Sequence, residues 1–226
     1  MLRDVGVVVV AAGQGVRAGG GTPKQFREVA GVPLVLHTLR PFLRHPAVDT
    51  VVLVLPAADA AAPPAWLAEL VGDRLLVVAG GATRQDSAMA GLAVLPSTCS
   101  VIVVHDGARP VVDEAVLEHI LAHARAGRGA IAAFPVSDTL KAVSAEGRIT
   151  ATVPRDGLWR AQTPQGFPRR MLERAYASSR GGATDEATLV ESLGHEVVVV
   201  PDSPRNIKVT TPDDFALVAM ILRAAP

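Results

Sequence analysis

Three short runs constrain this chain most: Val5-Gly-Val-Val-Val-Val10, Thr50-Val-Val-Leu-Val-Leu55 and Val101-Ile-Val-Val104. Each is almost wholly apolar and rich in β-branched residues. Such a run reads as a strand buried on both faces, which is the habit of parallel sheets. Between them lie helix-length segments: Leu34 to Leu43, a stretch from an N-cap at Thr83 to about Leu95, and Glu114 to Ala126. Arg74 to Val78 and Ala130 to Phe134 add strands, and Trp66 to Val71 a short helix. Strands alternating with helices predict an α/β fold, Rossmann-like, with a mostly parallel sheet covered on both faces. Ala57 to Pro64, rich in Ala and Pro, reads as a surface loop.

The alternation breaks between Pro135 and about Arg160. Ser137–Val143 and Arg148–Val153 read as a hairpin around Glu146-Gly147. A lone hairpin has too little core to stand by itself, so this arm must pack on the main body or on another subunit. Beyond it, helices are predicted over Pro168–Ala177 and Thr184–Leu193, with Thr184 as cap and Asp185 and Glu186 facing the dipole. Short strands follow at His195–Val200 and Asn206–Val209, then a last helix opened by Thr211-Pro-Asp-Asp214. No linker divides the chain, so the expectation is one domain over residues 1–226 with an arm at about 135–160.

Composition narrows the function classes. A chain of 226 residues with 49% hydrophobic content has enough material for one large α/β core. Lys plus Arg equals Asp plus Glu at 22 each, so no broad attraction to nucleic acid or an anionic membrane is expected. The single cysteine, Cys99, allows no intrachain disulfide and reads as a small buried hydrophobe. No apolar run approaches the roughly 20 residues that span a bilayer, and the N-terminus lacks a signal-peptide core, so a cytoplasmic protein is expected.

The stretch Ala11 to Gln25 follows the first strand. It places Arg17 and Lys24 among five glycines between Gly13 and Gly21. Glycine lets backbone N–H groups close on a ligand, and the two cations add full charge, so the loop suits a polyphosphate. Gly13 to Ala18 matches the G-x-G-x-x-A dinucleotide fingerprint, but the acid expected about 20 residues on is absent from Gly31 to Thr38. NAD is therefore disfavoured, and a Walker A loop fails for want of G-K-[ST].

Other polar groups fall where strands end, the usual ligand edge of an open α/β sheet. Gly80 and Gly81 can offer backbone groups to a flat base, with Arg84 and Ser87 on the next helix. Asp106 at a strand end beside a polyphosphate suits Mg²⁺; an Asp106–Arg109 ion pair or a turn cap is the alternative. His105 reads as a core histidine. Thr139, Lys141, Arg155 and Lys208 each carry a bland surface reading when taken singly. No Ser-His-Asp set and no His/Cys metal spacing is present, which points to electrostatic stabilisation at phosphate without a protein nucleophile.

Taken together, these segments resemble the 2-C-methyl-D-erythritol 4-phosphate cytidylyltransferases, of the wider nucleotidyltransferase fold. The resemblance runs from Val7 to about Leu222. It is carried by Ala11–Arg17 with Pro23-Lys-Gln25, Gly80–Ser87, His105–Pro110, Pro135–Lys141, Thr152–Trp159, Gln162–Gln165, Thr184–Ala187 and Asn206–Thr210. Two positions depart from the pattern: Ala18, where the family often has Met, and Ala82, where some members are polar. The resemblance implies that CTP and the polyol phosphate give a cytidine diphosphate alcohol and pyrophosphate, on the non-mevalonate isoprenoid route. It implies Arg17, Lys24, Arg155 and Lys208 as catalytic, and Ala11, Ala12, Gly13, Gly15, Gly80, Gly81, Arg84 and Ser87 around CTP. It gives Asp106, Arg109, Thr139, Arg155, Thr184 and Lys208 to the alcohol substrate. Mg²⁺ would be held mainly by the CTP phosphates, with Asp106 serving either the ion or the substrate. The resemblance further implies a homodimer across which the arm reaches, so that Thr139 and Arg155 complete the partner's site. A cytidylyltransferase for another polyol phosphate, such as ribitol 5-phosphate, is the alternative within the fold.

Overall fold

The structure, a computed structural model, describes residues 2–13 and 22–224. In chain order these form β1 (Val5–Val10), a one-turn 3₁₀ segment (Lys24–Phe26), β2 (Glu28–Val29), β3 (Val32–Pro33), α1 (Leu34–Arg44), β4 (Val48–Leu55), α2 (Ala57–Ala61), α3 (Ala65–Ala68) and β5 (Leu75–Ala79). Next come α4 (Arg84–Val94), β6 (Val101–Asp106), α5 (Glu114–Arg125), β7 (Gly129–Pro135), β8 (Leu140–Val143) and β9 (Ile149–Val153). The chain closes with β10 (Trp159–Pro168), α6 (Arg169–Ser178), α7 (Glu186–Ser192), β11 (Val197–Pro201) and α8 (Pro212–Arg223).

Seven strands make the central sheet in the order β11-β7-β10-β6-β1-β4-β5. All pairings are parallel except the two that β10 makes, with β6 and β7. Side chains alternate between the faces, as the pleat requires. Val5, Val7 and Val9 turn one way, with Val51, Leu53, Val101 and Val103, to meet Leu39 and Phe42 of α1 and Leu117 and Leu121 of α5. Val8, Val52, Val54, Ile102 and Val104 turn the other way, to meet α4, α6 and α7 through Leu92, Leu172 and Val190. The apolar runs are thus buried on both sides, which is why they carry no polar alternation. Cys99 lies fully buried in this second layer, and burial raises its thiol to about 11.

Several elements differ from expectation. Ala57–Ala61 is a helical turn rather than a loop, because its four alanines favour helix once Pro56 has set its start. The cap of α7 is Asp185, whose side chain accepts from Thr188 N, so Thr184 sits one residue outside the helix. Asn206–Val209 is not a strand; it docks on the turn after β6 through Val209 N to Ala108 O at 2.8 Å. β10 is unforeseen: Gln162-Thr-Pro-Gln-Gly-Phe-Pro has little β propensity, and its register shifts between Ala161 and Gln165, around Pro164. The hairpin β8–β9 forms its own two-stranded sheet, and every residue of β9 is exposed.

Candidate active site

β1 and β6 lie side by side with Val10 opposite Asp106. From β1 the chain crosses to β4 on one side, whereas β6 lies on the other, so a crevice opens at this switch point. A cleft of about 440 Å³ occupies it. Its floor is Val10–Gly13, one wall is Gly81–Arg84 with Ser87, and the opposite wall is Asp106–Ala108; Lys24, Gln25, Lys208 and Thr210 close the remaining side.

The wall from Gly80 to Ser87 is built by close approach. A Cβ on Gly80 would stand 2.5 Å from the Ala12 Cβ and 2.6 Å from Ser87 Oγ. Only glycine lets the β5–α4 turn lie against the end of β1. Gly107 is similar, with a notional Cβ 2.7 Å from that of Ala11. Thr83 caps α4 in a capping box with Asp86. Ser87 Oγ accepts from Gly81 N at 3.2 Å and donates to Thr83 O at 2.9 Å, which fixes the turn's shape.

Asp106 is the hub of the other wall. Arg84 Nε donates to Oδ1 at 3.3 Å, while Arg109 Nε at 3.3 Å and Lys208 Nζ at 2.9 Å share Oδ2. Burial alone would favour the neutral acid, but Lys208 and Arg84 override it and hold the carboxyl well below the usual range. Arg84 also donates from Nη1 to both oxygens of Glu186, at 2.7 and 2.9 Å. Tyr176 Oη donates to the same carboxylate at 3.1 Å. Behind Asp106, its own N–H donates to Thr163 Oγ1 at 3.0 Å. That hydroxyl then turns its proton to His105 Nδ1, also 3.0 Å away. His105 is therefore the Nε2–H tautomer, donating to Arg109 O at 2.9 Å. Burial lowers it to about 4, so it is neutral and is not a base for the cleft.

The segment carrying Lys208 is pinned from three sides. Asn206 Nδ2 donates to Thr163 O at 2.8 Å and to Asp202 Oδ2 at 2.7 Å. Its carbonyl accepts from Gln162 Nε2 at 2.9 Å and from Arg109 Nη1 at 2.8 Å. Lys24 Nζ donates to Val209 O at 2.8 Å.

Ala11, Ala12, Gly13, Lys24, Gly81, Arg84, Ser87, Asp106 and Lys208 thus gather on one cleft. Gly80 supports it from behind, against Ala12 and Ser87. Arg109 faces Asp106 and Asn206 O and does not line the cleft, so the ion pair expected as an alternative is present. Arg84 is committed to two carboxylates. Gly15 and Arg17 fall outside the described residues. Thr139 and Thr184 are exposed and line no part of the described cleft, and Arg155 is exposed on the arm, where its guanidinium donates to Ser137 O. Gln25, Thr163, Tyr176 and Glu186 went unnoticed as site residues. For Glu186 no local signal exists: its place in the first turn of α7 reads as a dipole partner, and only tertiary packing brings it to Arg84.

Among the described residues no group of three or more His, Cys, Asp or Glu could cage a metal, and no helix is long and apolar enough to cross a membrane.

A cleft lined by Lys24, Arg84 and Lys208 at the switch point of a doubly covered, mostly parallel sheet suits phosphate, and this is the layout of the nucleotidyltransferase fold. Solved structures agree. A crystal structure of a 4-diphosphocytidyl-2C-methyl-D-erythritol synthase superposes with a TM-score of 0.82 at 35% identity, covering 98% of this chain and 100% of that one. The 2-C-methyl-D-erythritol 4-phosphate cytidylyltransferase of Thermus thermophilus gives 0.80 at 32%, covering 96% and 98%. The chain belongs to the IspD family, 2-C-methyl-D-erythritol 4-phosphate cytidylyltransferase, whose family model matches residues 5–224. The enzyme of that name from Syntrophus aciditrophicus is 40% identical over 99% of this chain and 97% of its own length. The bifunctional IspD/IspF enzyme of Desulfotalea psychrophila is 39% identical over 98% of this chain, which spans only 58% of that longer protein. These likenesses do not favour the ribitol phosphate alternative.

Proposed function

We propose that this chain transfers the cytidylyl group of CTP to 2-C-methyl-D-erythritol 4-phosphate, giving 4-diphosphocytidyl-2-C-methyl-D-erythritol and pyrophosphate, on the non-mevalonate route to isoprenoids. The observation that carries the reading is the convergence of Lys24 and the Asp106-bound Lys208 on one cleft walled by the Gly81–Ser87 turn. In the reaction a phosphate oxygen of the alcohol substrate attacks the α-phosphorus of CTP in line. The bond from that phosphorus to the bridging oxygen breaks, and pyrophosphate leaves with the electron pair. Backbone from Ala11 to Gly13 and from Gly80 to Gly81, with Ser87, holds the cytidine. Lys24, with Arg17, meets the charge that builds on the phosphates. Lys208 aims the attacking phosphate. A phosphate monoester has a second pKa of ≈6, so the nucleophile is an anion already. No general base is needed, which fits a cleft whose one acid among the described residues, Asp106, is held ionised and cation-bound.

Mg²⁺ fits this cleft in a limited way. A carboxylate offers about four lone-pair sites, and three on Asp106 are taken, one of the two on Oδ1 remaining. One protein oxygen suits an ion carried mainly by the triphosphate, whose charge it would neutralise. The arm supports a homodimer: Val143, Ile149, Val153, Leu158 and Trp159 are exposed on it or at its base, and a second copy would cover them while Thr139 and Arg155 reached the other cleft. The proposed setting is the cytoplasm, and the proposed organisation one nucleotidyltransferase domain with its arm.

The test is CTP- and Mg²⁺-dependent pyrophosphate release across a panel of methylerythritol 4-phosphate, erythritol 4-phosphate and ribitol 5-phosphate. The branched substrate should turn over fastest; faster turnover of ribitol 5-phosphate would overturn the assignment.

A further inference from the structure

The geometry points to Glu186 as a positioning residue that, through Arg84, sets Asp106 and hence Lys208 for the substrate phosphate. The inference rests on the function proposed above.

Glu186 is 1% exposed, yet its partner Arg84 lines the cleft with 28% of its side chain open. Arg84 spends Nη1 on Glu186 and turns Nε to Asp106 Oδ1. That leaves Oδ2 to Arg109 and to Lys208, the most exposed member of the cluster at 43%. The charges explain the arrangement. Three cations, Arg84, Arg109 and Lys208, surround Asp106 alone unless Glu186 is counted. With Glu186 neutralising Arg84, the surplus positive charge falls on Lys208, at the place where an anion can reach it. Without Glu186, Arg84 would put its whole charge on Asp106 and compete with Lys208 for that carboxylate.

Plain support of the fold is the rival explanation, and α7 does not need Glu186 for it. Gln165 already ties the start of that helix to β10: its Nε2 donates to Asp185 Oδ2 at 2.9 Å, and its Oε1 accepts from Ala187 N at 3.1 Å. Tyr176, in contrast, adds a donor to Glu186 itself, from α6. Burying a carboxylate is costly unless it is paired and bonded, and here Arg84 and Tyr176 both bind it, the one as its target and the other as a brace.

The experiment uses the full chain, with Glu186→Gln as the near-isosteric variant and Tyr176→Phe as a milder second. One readout needs no substrate: acetylation of Lys208 by acetic anhydride, quantified by mass spectrometry against Lys141 on the arm. A looser hold on Lys208 exposes more free amine, so labelling should rise several-fold in Glu186→Gln, less in Tyr176→Phe, and most in Asp106→Asn. The second readout is kinetic. KM for the alcohol phosphate should rise about tenfold in Glu186→Gln while KM for CTP stays within about twofold. Unchanged labelling with unchanged KM would overturn the inference. So would a parallel rise in both KM values with a lowered melting temperature, the mark of a purely structural part. If Glu186→Gln does not fold, Tyr176→Phe decides on the same two readouts. Failure of wild-type turnover would sink the proposed function instead, and the labelling would still judge the positioning.

Discussion

Lys24 Nζ donates to the carbonyl of Val209 at 2.8 Å, so the cation that ends the glycine loop is tied to the segment that presents Lys208. The two ends of the chain's chemistry meet in one bond. Lys24→Ala should lower kcat by about 10²–10³, the range for loss of one transition-state donor. Pyrophosphate release under saturating CTP checks it; an unchanged kcat would remove Lys24 from the transition state.

Gly80→Ala puts a Cβ 2.5 Å from Ala12 and 2.6 Å from Ser87 Oγ. Overpacking of this kind costs about 1–3 kcal/mol. Urea unfolding should show that loss, and KM for CTP should rise more than kcat falls, because the displaced turn walls the cleft proposed to hold the nucleotide. A variant with wild-type stability and wild-type KM would mean that the turn yields freely.

His105 is buried neutral, its pKa lowered by burial from 6.5 to about 4. The sign follows from proton counting. Between these values the unfolded chain binds a proton that the folded chain refuses, so stability present above pH 6.5 is lost as pH falls toward 4. The loss is at most ~3 kcal/mol. Chemical unfolding of the metal-free protein from about pH 7 to about pH 4 should show it, and His105→Gln should flatten that part of the profile. An equal slope in the variant would assign the acid sensitivity elsewhere.

If each cleft is completed by the neighbouring arm, Lys24→Ala and Arg155→Ala should complement each other. Random mixing places both lesions in one site of each heterodimer and leaves the other intact, giving roughly a quarter of wild-type activity. Confirmed heterodimers with no recovery would confine Arg155 to its own subunit.

Legibility in the sequence followed how local each cause was. β1 and β4 announced themselves because both faces are buried and nothing polar interrupts them. Thr83 was readable as a cap because capping is settled within one turn. Asp106 was readable as a strand-end acid, although its neighbours were not: Arg84 and Lys208 come from distant segments. β10 was hidden because Pro164, Gly166 and two glutamines look like a loop; they persist in the sheet because Gln162, Thr163 and Gln165 hold the site and α7 in place. Glu186 was misread as a helix-end charge because Arg84, the cation that claims it, lies on α4, far back along the chain.

The arm leaves the sheet from β7 and returns on β10, and these two strands are direct neighbours, with Trp159 paired to Pro135. Val136 N donates to Leu158 O at 3.0 Å just beyond, so the excursion is cinched at its root. Everything past that clasp is free of the sheet's register. Residues can be gained or lost there at the small entropic cost of a longer loop, without turning one core side chain outward. The length of the arm is therefore adjustable by descent while the cleft beneath stays fixed.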